Sequence, residues 1–218
     1  RRTELLDATL AKLNSLAPQE IPRHHTAAFD LRQLDDIGAW FKRLVAEHGA
    51  FDGLVHSASF QGYSPLKTIK AKDIQAYFDI NFSAGLMLVA ALSKKANYKP
   101  KASAVMIGSA AGLKGLKART LYASSKAAVS AMVKSCALEL ADKGIRVNCV
   151  APALVSGSKA DQQMKMLTPE QGKALLDAHP LGLSTPQDVA NAVVFLLSDM
   201  SANVTGTTLA VDGGFLAG

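Results

Sequence analysis

The sequence predicts an α/β fold, in which a doubly wound, mostly parallel sheet of the Rossmann type lies between two layers of helices. Short apolar runs alternate with segments of helical periodicity throughout the 218 residues, which is typical of strands joined by crossover helices. A composition of 49% hydrophobic and 19% charged residues suits one large domain with a substantial core. We therefore interpret residues 1–218 as a single three-layer α/β/α domain.

The elements follow from local periodicity. The first helix is expected over residues 3–15, where leucines recur at helical spacing without a preceding cap. The expected strands are the apolar runs His25 to Asp30, Asp52 to Ser57, Ala102 to Gly108, Ile145 to Val150 and Thr207 to Val211. The further expected helices are Leu34 to His48, Ala71 to Ala96, Tyr122 to Lys143 and Pro186 to Asp199.

Residues 153–182 form a methionine-rich segment with helical pieces and no strand. Met164, Met166 and Leu167 could belong to the core. Because the segment follows a strand end, we expect instead a mobile lid that lines an apolar substrate pocket.

Composition argues against several classes of function. The net charge is +6, but Lys and Arg are scattered among acidic residues, so we expect no nucleic-acid partner. No apolar stretch reaches the roughly 18–20 residues of a membrane span, and no secretory signal is visible. Cys136 and Cys149 lie in apolar surroundings, which favours reduced thiols in a cytoplasmic protein. His24 and His25 lack a third ligand at metal spacing, so no metal site is expected.

Polar residues follow three of the expected strands, at His56 to Ser59, at Ser109 and at Pro152 to Ser156. Ligands of such sheets bind outside the carboxyl ends of the strands. Tyr122 and Lys126 stand four positions apart where a helix begins, so their side chains should share one face. Taken singly, each of these features is common in proteins without a site.

Together these residues resemble the short-chain dehydrogenase/reductases, and in particular the 3-oxoacyl-[acyl carrier protein] reductases. The catalytic pattern of the family is matched by Asn81 in "FDINFSAG", Ser109 in "MIGSAAG", and Tyr122 with Lys126 in "YASSK". The tail "PLGLSTPQDVANAVVFLLSDMSANVTGTTLAVDGG" is similar to the C-terminal helix and last strand of the family.

The resemblance implies hydride transfer between a nicotinamide cofactor and a ketone or secondary alcohol. Tyr122 would be the general acid and base, because an ammonium within about 4–6 Å lowers the pKa of a phenol. Lys126 would supply that charge and hold the nicotinamide ribose. Ser109 would donate a hydrogen bond to the substrate oxygen, and Asn81 would hold a water that links Lys126 to solvent.

The resemblance also implies a set of cofactor contacts. Arg1 or Arg2 would grip the 2′-phosphate of NADP, with NAD as the alternative cofactor, although either Arg could also be an exposed charge at a helix start. The further implied contacts are Asp30, Leu31, His56, Ala58, Tyr122, Lys126, Pro152, Val155 and Ser156. His56 to Ser59 replace the Asn-Asn-Ala-Gly of the family, and Ala153 replaces a Gly.

The Gly-rich phosphate loop of the family, Thr-Gly-x-x-x-Gly-x-Gly, has no counterpart in the sequence. We expect the N-terminal βαβ portion that carries it to lie in roughly 25–40 residues upstream of Arg1, which would bring the domain to a usual length. A non-catalytic binding or scaffold protein with weakened cofactor affinity is the alternative hypothesis. The helices of Asn81 and Tyr122 are apolar nearly all round, which favours a homodimer or homotetramer.

Overall fold

A parallel sheet of four strands forms the centre of the fold in the computed structural model, which describes residues 3–16 and 24–218. The strands are β1 (Phe51–His56), β2 (Tyr98–Ile107), β3 (Arg146–Pro152) and β4 (Thr208–Val211). Their order in the sheet is β1-β2-β3-β4, and every neighbouring pair is parallel. The predicted doubly wound α/β architecture is confirmed for the described residues.

Helices cover both faces of this sheet. The helices of the described residues are α1 (Thr3–Leu16), α2 (Ile37–His48), α3 (Ala71–Phe78), α4 (Ala84–Leu92), α5 (Thr120–Leu140), α6 (Ser158–Met164), α7 (Pro169–Asp177) and α8 (Pro186–Leu197). Of these, α2, α4 and α5 pack on one face of the sheet, and α8 packs on the other. The predicted helix over residues 71–96 is therefore two helices, joined by a π turn over Asp79–Ser83. Helix α8 begins as predicted, with Thr185 and Asp188 exchanging capping hydrogen bonds.

The core has two layers because successive side chains of a strand point to opposite faces. On one face, Ala104 and Met106 of β2 and Cys149 of β3 pack with buried residues of α2, α4 and α5. On the other face, Val105 and Val150 pack against α8. All residues of β3 are buried, as expected for a central parallel strand covered on both sides.

The predicted strand from His25 to Asp30 is wrong. These residues form no strand, and the rings of His25 and Phe29 pack on α2. Phe29 stacks on Trp40 at 4.7 Å and His25 stacks on His48 at 4.5 Å, measured between ring centroids. Among the described residues, β1 therefore forms an edge of the sheet, and Val55 on it is 41% exposed.

The helical stretch Ala71–Leu92 is long and apolar enough to cross a membrane by length and composition alone. Its apolar half is α4, where Leu88, Val89 and Leu92 are buried in the core. A buried core helix meets the same criterion, so packing against the sheet accounts for this composition.

Candidate active site

The predicted catalytic residues meet at the carboxyl edge of the sheet. Ser109 lies two residues after the end of β2, and Tyr122 lies in the first turn of α5. Both line one cavity of about 250 Å³, together with Ala153 and Leu154 after β3. This placement follows from the parallel sheet, because the carboxyl ends of its strands open on the same side.

Lys126 lies one helical turn after Tyr122 and behind it. Its Nζ atom is 5.9 Å from the centroid of the Tyr122 ring, and it donates a hydrogen bond of 2.7 Å to the carbonyl oxygen of Ile107. The side chain is 1% exposed, and this burial lowers the pKa of Lys126 to about 8. The cation is therefore held in the protein interior beside the phenol ring.

The Ser109 hydroxyl is held by the turn that follows β2. Its Oγ atom accepts a hydrogen bond of 3.2 Å from the backbone N–H of Ala111 and donates one of 3.4 Å to the carbonyl oxygen of Pro152. The side chain is buried yet belongs to the wall of the cavity. The second bond is long, so a substrate oxygen could replace Pro152 as the acceptor at little cost.

Asn81 lies in the π turn between α3 and α4 and is fully buried. Its Oδ1 atom accepts from the N–H of Phe60 at 2.7 Å, and its Nδ2 atom donates to the carbonyl oxygen of Phe60 at 2.8 Å. The same Nδ2 donates to Ser125 Oγ at 2.9 Å, and Ser125 donates to the carbonyl oxygen of Tyr122. Asn81 thus ties the loop after β1 to α5. The predicted water beside it stays a prediction.

The predicted cofactor residues line two grooves, one on each side of the β1 edge. Pro152 and Val155 line a groove of about 490 Å³ with residues of α8. Leu31, His56 and Ala58 line a second groove, of about 460 Å³, with residues of α2. Val55 and Ser57 belong to both walls.

The other predicted cofactor residues lie around these grooves. The backbone N–H of Ser156 donates to the carbonyl oxygen of Ser184 at 2.8 Å. The Arg32 side chain donates to both carboxylate oxygens of Asp30, from Nε at 3.0 and 3.2 Å and from Nη2 at 2.6 Å, and so forms an ion pair. Arg1 and Arg2 lie outside the described residues.

His56 has a surrounding that the sequence did not reveal. It is 3% exposed, and its Nε2 atom has no hydrogen-bond partner among the described residues. Burial, and then the charge of Lys126, lower the pKa of His56 to about 4. The imidazole is therefore neutral near pH 7, and of these two neighbouring side chains Lys126 carries the positive charge.

Sequence reasoning missed Arg119, which precedes α5 and lines the cavity of Tyr122. Its Nη1 atom donates to the carbonyl oxygen of Gly62 at 3.2 Å, and its Nη2 atom donates to Gln163 Oε1 at 3.0 Å. The guanidinium carbon lies 4.1 Å from the centroid of the Tyr63 ring. A cation three positions before Tyr122 at a helix start was the signal available in the sequence.

His179 also lines this cavity and was not predicted. It is buried, stacks on Phe215 with ring centroids 5.0 Å apart, and shares a hydrogen bond of 2.7 Å between Nδ1 and the carbonyl oxygen of Leu175. These contacts close the cavity from the side of α7 and the C-terminal residues. No cluster of three metal-ligating side chains occurs within residues 3–16 and 24–218.

Comparison with known proteins gives one consistent result. The family model described as Enoyl-(Acyl carrier protein) reductase matches residues 3–216. D-erythrulose reductase of Gallus gallus is 32% identical over 217 residues, which cover 99% of this chain and 85% of that protein. The 3-oxoacyl-[acyl-carrier-protein] reductase FabG of Thermotoga maritima is 34% identical over 84% of this chain and 73% of its own length. A solved structure of an ElxO variant with NADPH bound is 26% identical with a TM-score of 0.76, over 87% of this chain and 77% of that one.

Proposed function

Because the chain belongs to the short-chain dehydrogenase/reductase family, we propose that it is an NAD(P)H-dependent enzyme that reduces a ketone or oxidises a secondary alcohol. The oxidoreductase class follows from the family and its ketone-reducing relatives. One observation carries the finer proposal. Ser109 and Tyr122 line a single cavity, with the buried cation of Lys126 behind the phenol ring.

The residues at the carboxyl edge fit the nicotinamide end of such a cofactor. Lys126 is a buried ammonium with three N–H donors and one assigned acceptor, so donors remain for the ribose hydroxyls. Pro152 and Val155 offer apolar surface for the ring, and Ser156 follows them. The described residues contain no Gly-rich loop for the pyrophosphate, and Leu31 with Ala58 would flank the adenine side.

A bound nicotinamide cofactor would supply the hydride, and this chain would supply the proton and its stabilisation. In reduction, negative charge develops on the carbonyl oxygen, which Ser109 meets with its hydroxyl and Tyr122 with its phenolic proton. Lys126 stabilises the negative charge that remains on the Tyr122 oxygen when the proton leaves. Asn81 keeps the loop at Phe60 and the start of α5 in place, and we retain its role in a proton path as part of the proposal.

The direct test is Tyr122→Phe, which keeps the ring and removes the proton. We expect NADPH oxidation with the neutral ketone ethyl acetoacetate to fall by roughly 10²–10⁴-fold, measured by absorbance, since general acid catalysis contributes about that factor. Tyr98→Phe, at the opposite end of β2, is the matched control and should keep full activity. Full activity in Tyr122→Phe would refute the role of the phenol.

The cofactor preference is a separate part of the proposal. We propose NADP, with NAD as the alternative, and the NADPH-bound structure of a relative supports a nicotinamide cofactor. Fluorescence titration with NADPH and NADH gives the preference. The non-catalytic alternative is less favoured, because the Ser, Tyr and Lys pattern is complete and the relatives described are reductases. It would gain support if neither cofactor bound.

A homodimer or homotetramer through α4 and α5 completes the proposal, together with a cytoplasmic location. Apolar side chains on the outer side of these helices are exposed, including Leu138 at 82% and Leu86 at 36%. Large exposed apolar side chains on neighbouring helices suit a contact between identical subunits. Light scattering after size exclusion measures the assembly, and a monomeric mass would contradict this part. Unpaired Cys136 and Cys149 suit a reducing compartment.

A further inference from the structure

The walls of the catalytic cavity carry one sign of charge. A second cavity, of about 330 Å³, lies next to it, and the two share Gln61, Tyr63, Arg119 and Gln163. The cations Lys117, Arg119 and Lys159 line the pair, whereas neither wall includes an Asp or Glu. A substrate in these cavities would therefore meet positive charge that no lining carboxylate compensates.

Arg119 stands on the wall between the two cavities, and both of its hydrogen-bond partners are neutral. A guanidinium has five N–H donors. Arg119 uses one donor on the carbonyl oxygen of Gly62 and one on the side chain of Gln163. Within residues 3–16 and 24–218 no carboxylate lies within ion-pair distance of it. Donors and charge are thus left for a ligand.

The guanidinium is also held in place before any ligand arrives. Its face rests on the Tyr63 ring, with the guanidinium carbon 4.1 Å from the ring centroid. The loop that carries Tyr63 is fixed to the segment before α5, because the N–H of Ser64 donates to the carbonyl oxygen of Ala118 at 2.7 Å. A planar fork of donors held in this way matches the paired oxygens of an oxyanion.

From these contacts we propose that Arg119 binds an anionic group of the substrate, so that the preferred substrates are ketones or secondary alcohols that carry a carboxylate, sulfonate or phosphate. Arg119 and Tyr122 line the same cavity, so a substrate bound there would place its oxyanion a few bonds from the reacting carbonyl. Lys117 and Lys159 add attraction at the cavity walls. This inference rests on the proposed function.

A purely structural role for Arg119 would have different consequences. Its bonds to Gly62 and Gln163 also connect the loop after β1 to α6. If they served only this purpose, loss of the guanidinium would weaken reduction of neutral and anionic ketones equally. The ratio of the two activities therefore separates a binding role from a structural one.

The experiment compares kcat/KM for matched ketones that differ in charge: acetoacetate against methyl acetoacetate, and levulinate against methyl levulinate. Dihydroxyacetone phosphate against dihydroxyacetone distinguishes a phosphate from a carboxylate. We expect the wild-type protein to prefer at least one anionic member. Arg119→Gln should lower that preference by roughly 10–100-fold, the range of a charge-assisted hydrogen bond, and Arg119→Lys should lower it less. Lys95→Gln, an exposed lysine after α4, is the control for lost charge and should change nothing.

Gln163→Glu tests the same site without removal of the arginine. The substitution keeps the shape of the side chain and places a carboxylate 3.0 Å from Arg119, so it should neutralise the guanidinium and reduce the anionic preference. This variant tests whether Arg119 binds the anionic group even if Arg119→Gln does not fold. An unchanged preference in the folded variants, or no preference in the wild-type protein, would overturn the proposal.

A binding measurement distinguishes failure of this inference from failure of the proposed function. Calorimetric titration of the protein with acetoacetate and with methyl acetoacetate requires no turnover. If no ketone is reduced but acetoacetate binds and Arg119→Gln abolishes the binding, the anion site holds and the catalytic proposal fails. If methyl acetoacetate is reduced but neither acetoacetate, levulinate nor dihydroxyacetone phosphate is bound or preferred, the catalytic proposal holds and the anion site fails.

Discussion

The proposed catalytic cavity and the edge of β1 lie at the same end of the sheet, but their polar groups are held differently. Around the cavity, Ser109, Asn81 and Lys126 each bond to protein atoms from another part of the chain. At the β1 edge, the Nε2 atom of His56 has no partner among the described residues, and Val55 is exposed. The chain itself orders the proposed catalytic groups, whereas the two grooves beside β1 share Val55 and Ser57 as lining residues.

The largest expected change in stability comes from removing the hydrogen bonds that Asn81 makes beside the cavity. Asn81→Ala removes three hydrogen bonds, two to Phe60 and one to Ser125, and should lower the free energy of unfolding by about 3–4 kcal/mol. Asn97→Ala is the control, because this buried Asn makes one assigned bond, to the carbonyl oxygen of Ala91, and should cost about 1 kcal/mol. Urea titration measures both. Equal losses would show that Asn81 does not hold the loop.

A pH titration should reveal the state of His56. The folded pKa, about 4, is below the ordinary value of 6.5, so the unfolded chain binds more protons between these values. Stability is therefore complete above pH 6.5 and is lost as the pH falls towards 4, by at most about 3 kcal/mol. His56→Asn should flatten this loss in urea titrations, whereas His48→Asn should leave it unchanged. A wild-type curve that is flat from pH 6.5 to 4 would contradict a buried neutral imidazole.

The smallest effect is expected at the edge strand. Val55 and Val105 are register partners in β1 and β2, but Val105 is fully buried. Val105→Thr should cost about 1–3 kcal/mol, because it buries a hydroxyl, whereas Val55→Thr should stay within about 0.5 kcal/mol. Thermal melting compares the two variants directly. A large loss of stability in Val55→Thr would mean that this edge of the sheet is covered in solution.

Sequence reasoning succeeded where the signal is local. The last strand was expected at Thr207 to Val211 and lies at Thr208–Val211, since its apolar run is short and bounded by turns. Strand β2 begins at Tyr98, four residues before the predicted start at Ala102. The prediction missed these four residues because they include two lysines and a proline and show no apolar pattern. The wrong prediction of a strand at His25 to Asp30 has a nonlocal cause. An apolar run in the sequence does not reveal whether it will pair with a strand or pack on a helix.

The same distinction applies to the candidate site. Tyr122 and Lys126 follow from their spacing on one helix, and their geometry agrees with it. Arg119 was missed because its partners, Gly62 and Gln163, come from two distant segments that meet only in the folded chain. His56 was predicted as a cofactor contact, but its burial could not be predicted from sequence, because it depends on Gly85 of α4 and on the charge of Lys126 from α5.

The π turn at Asp79–Ser83 has a consequence for how this region tolerates change. A wider turn adds one residue, so the helix after it is rotated by about 100° relative to an uninterrupted helix. α4 can therefore direct Leu88 and Leu92 to the sheet while α3 keeps its own phase towards the surface. Deleting one residue of this turn would remove the angular offset between α3 and α4, whereas an exchange of side chains that keeps the length of the turn would preserve it.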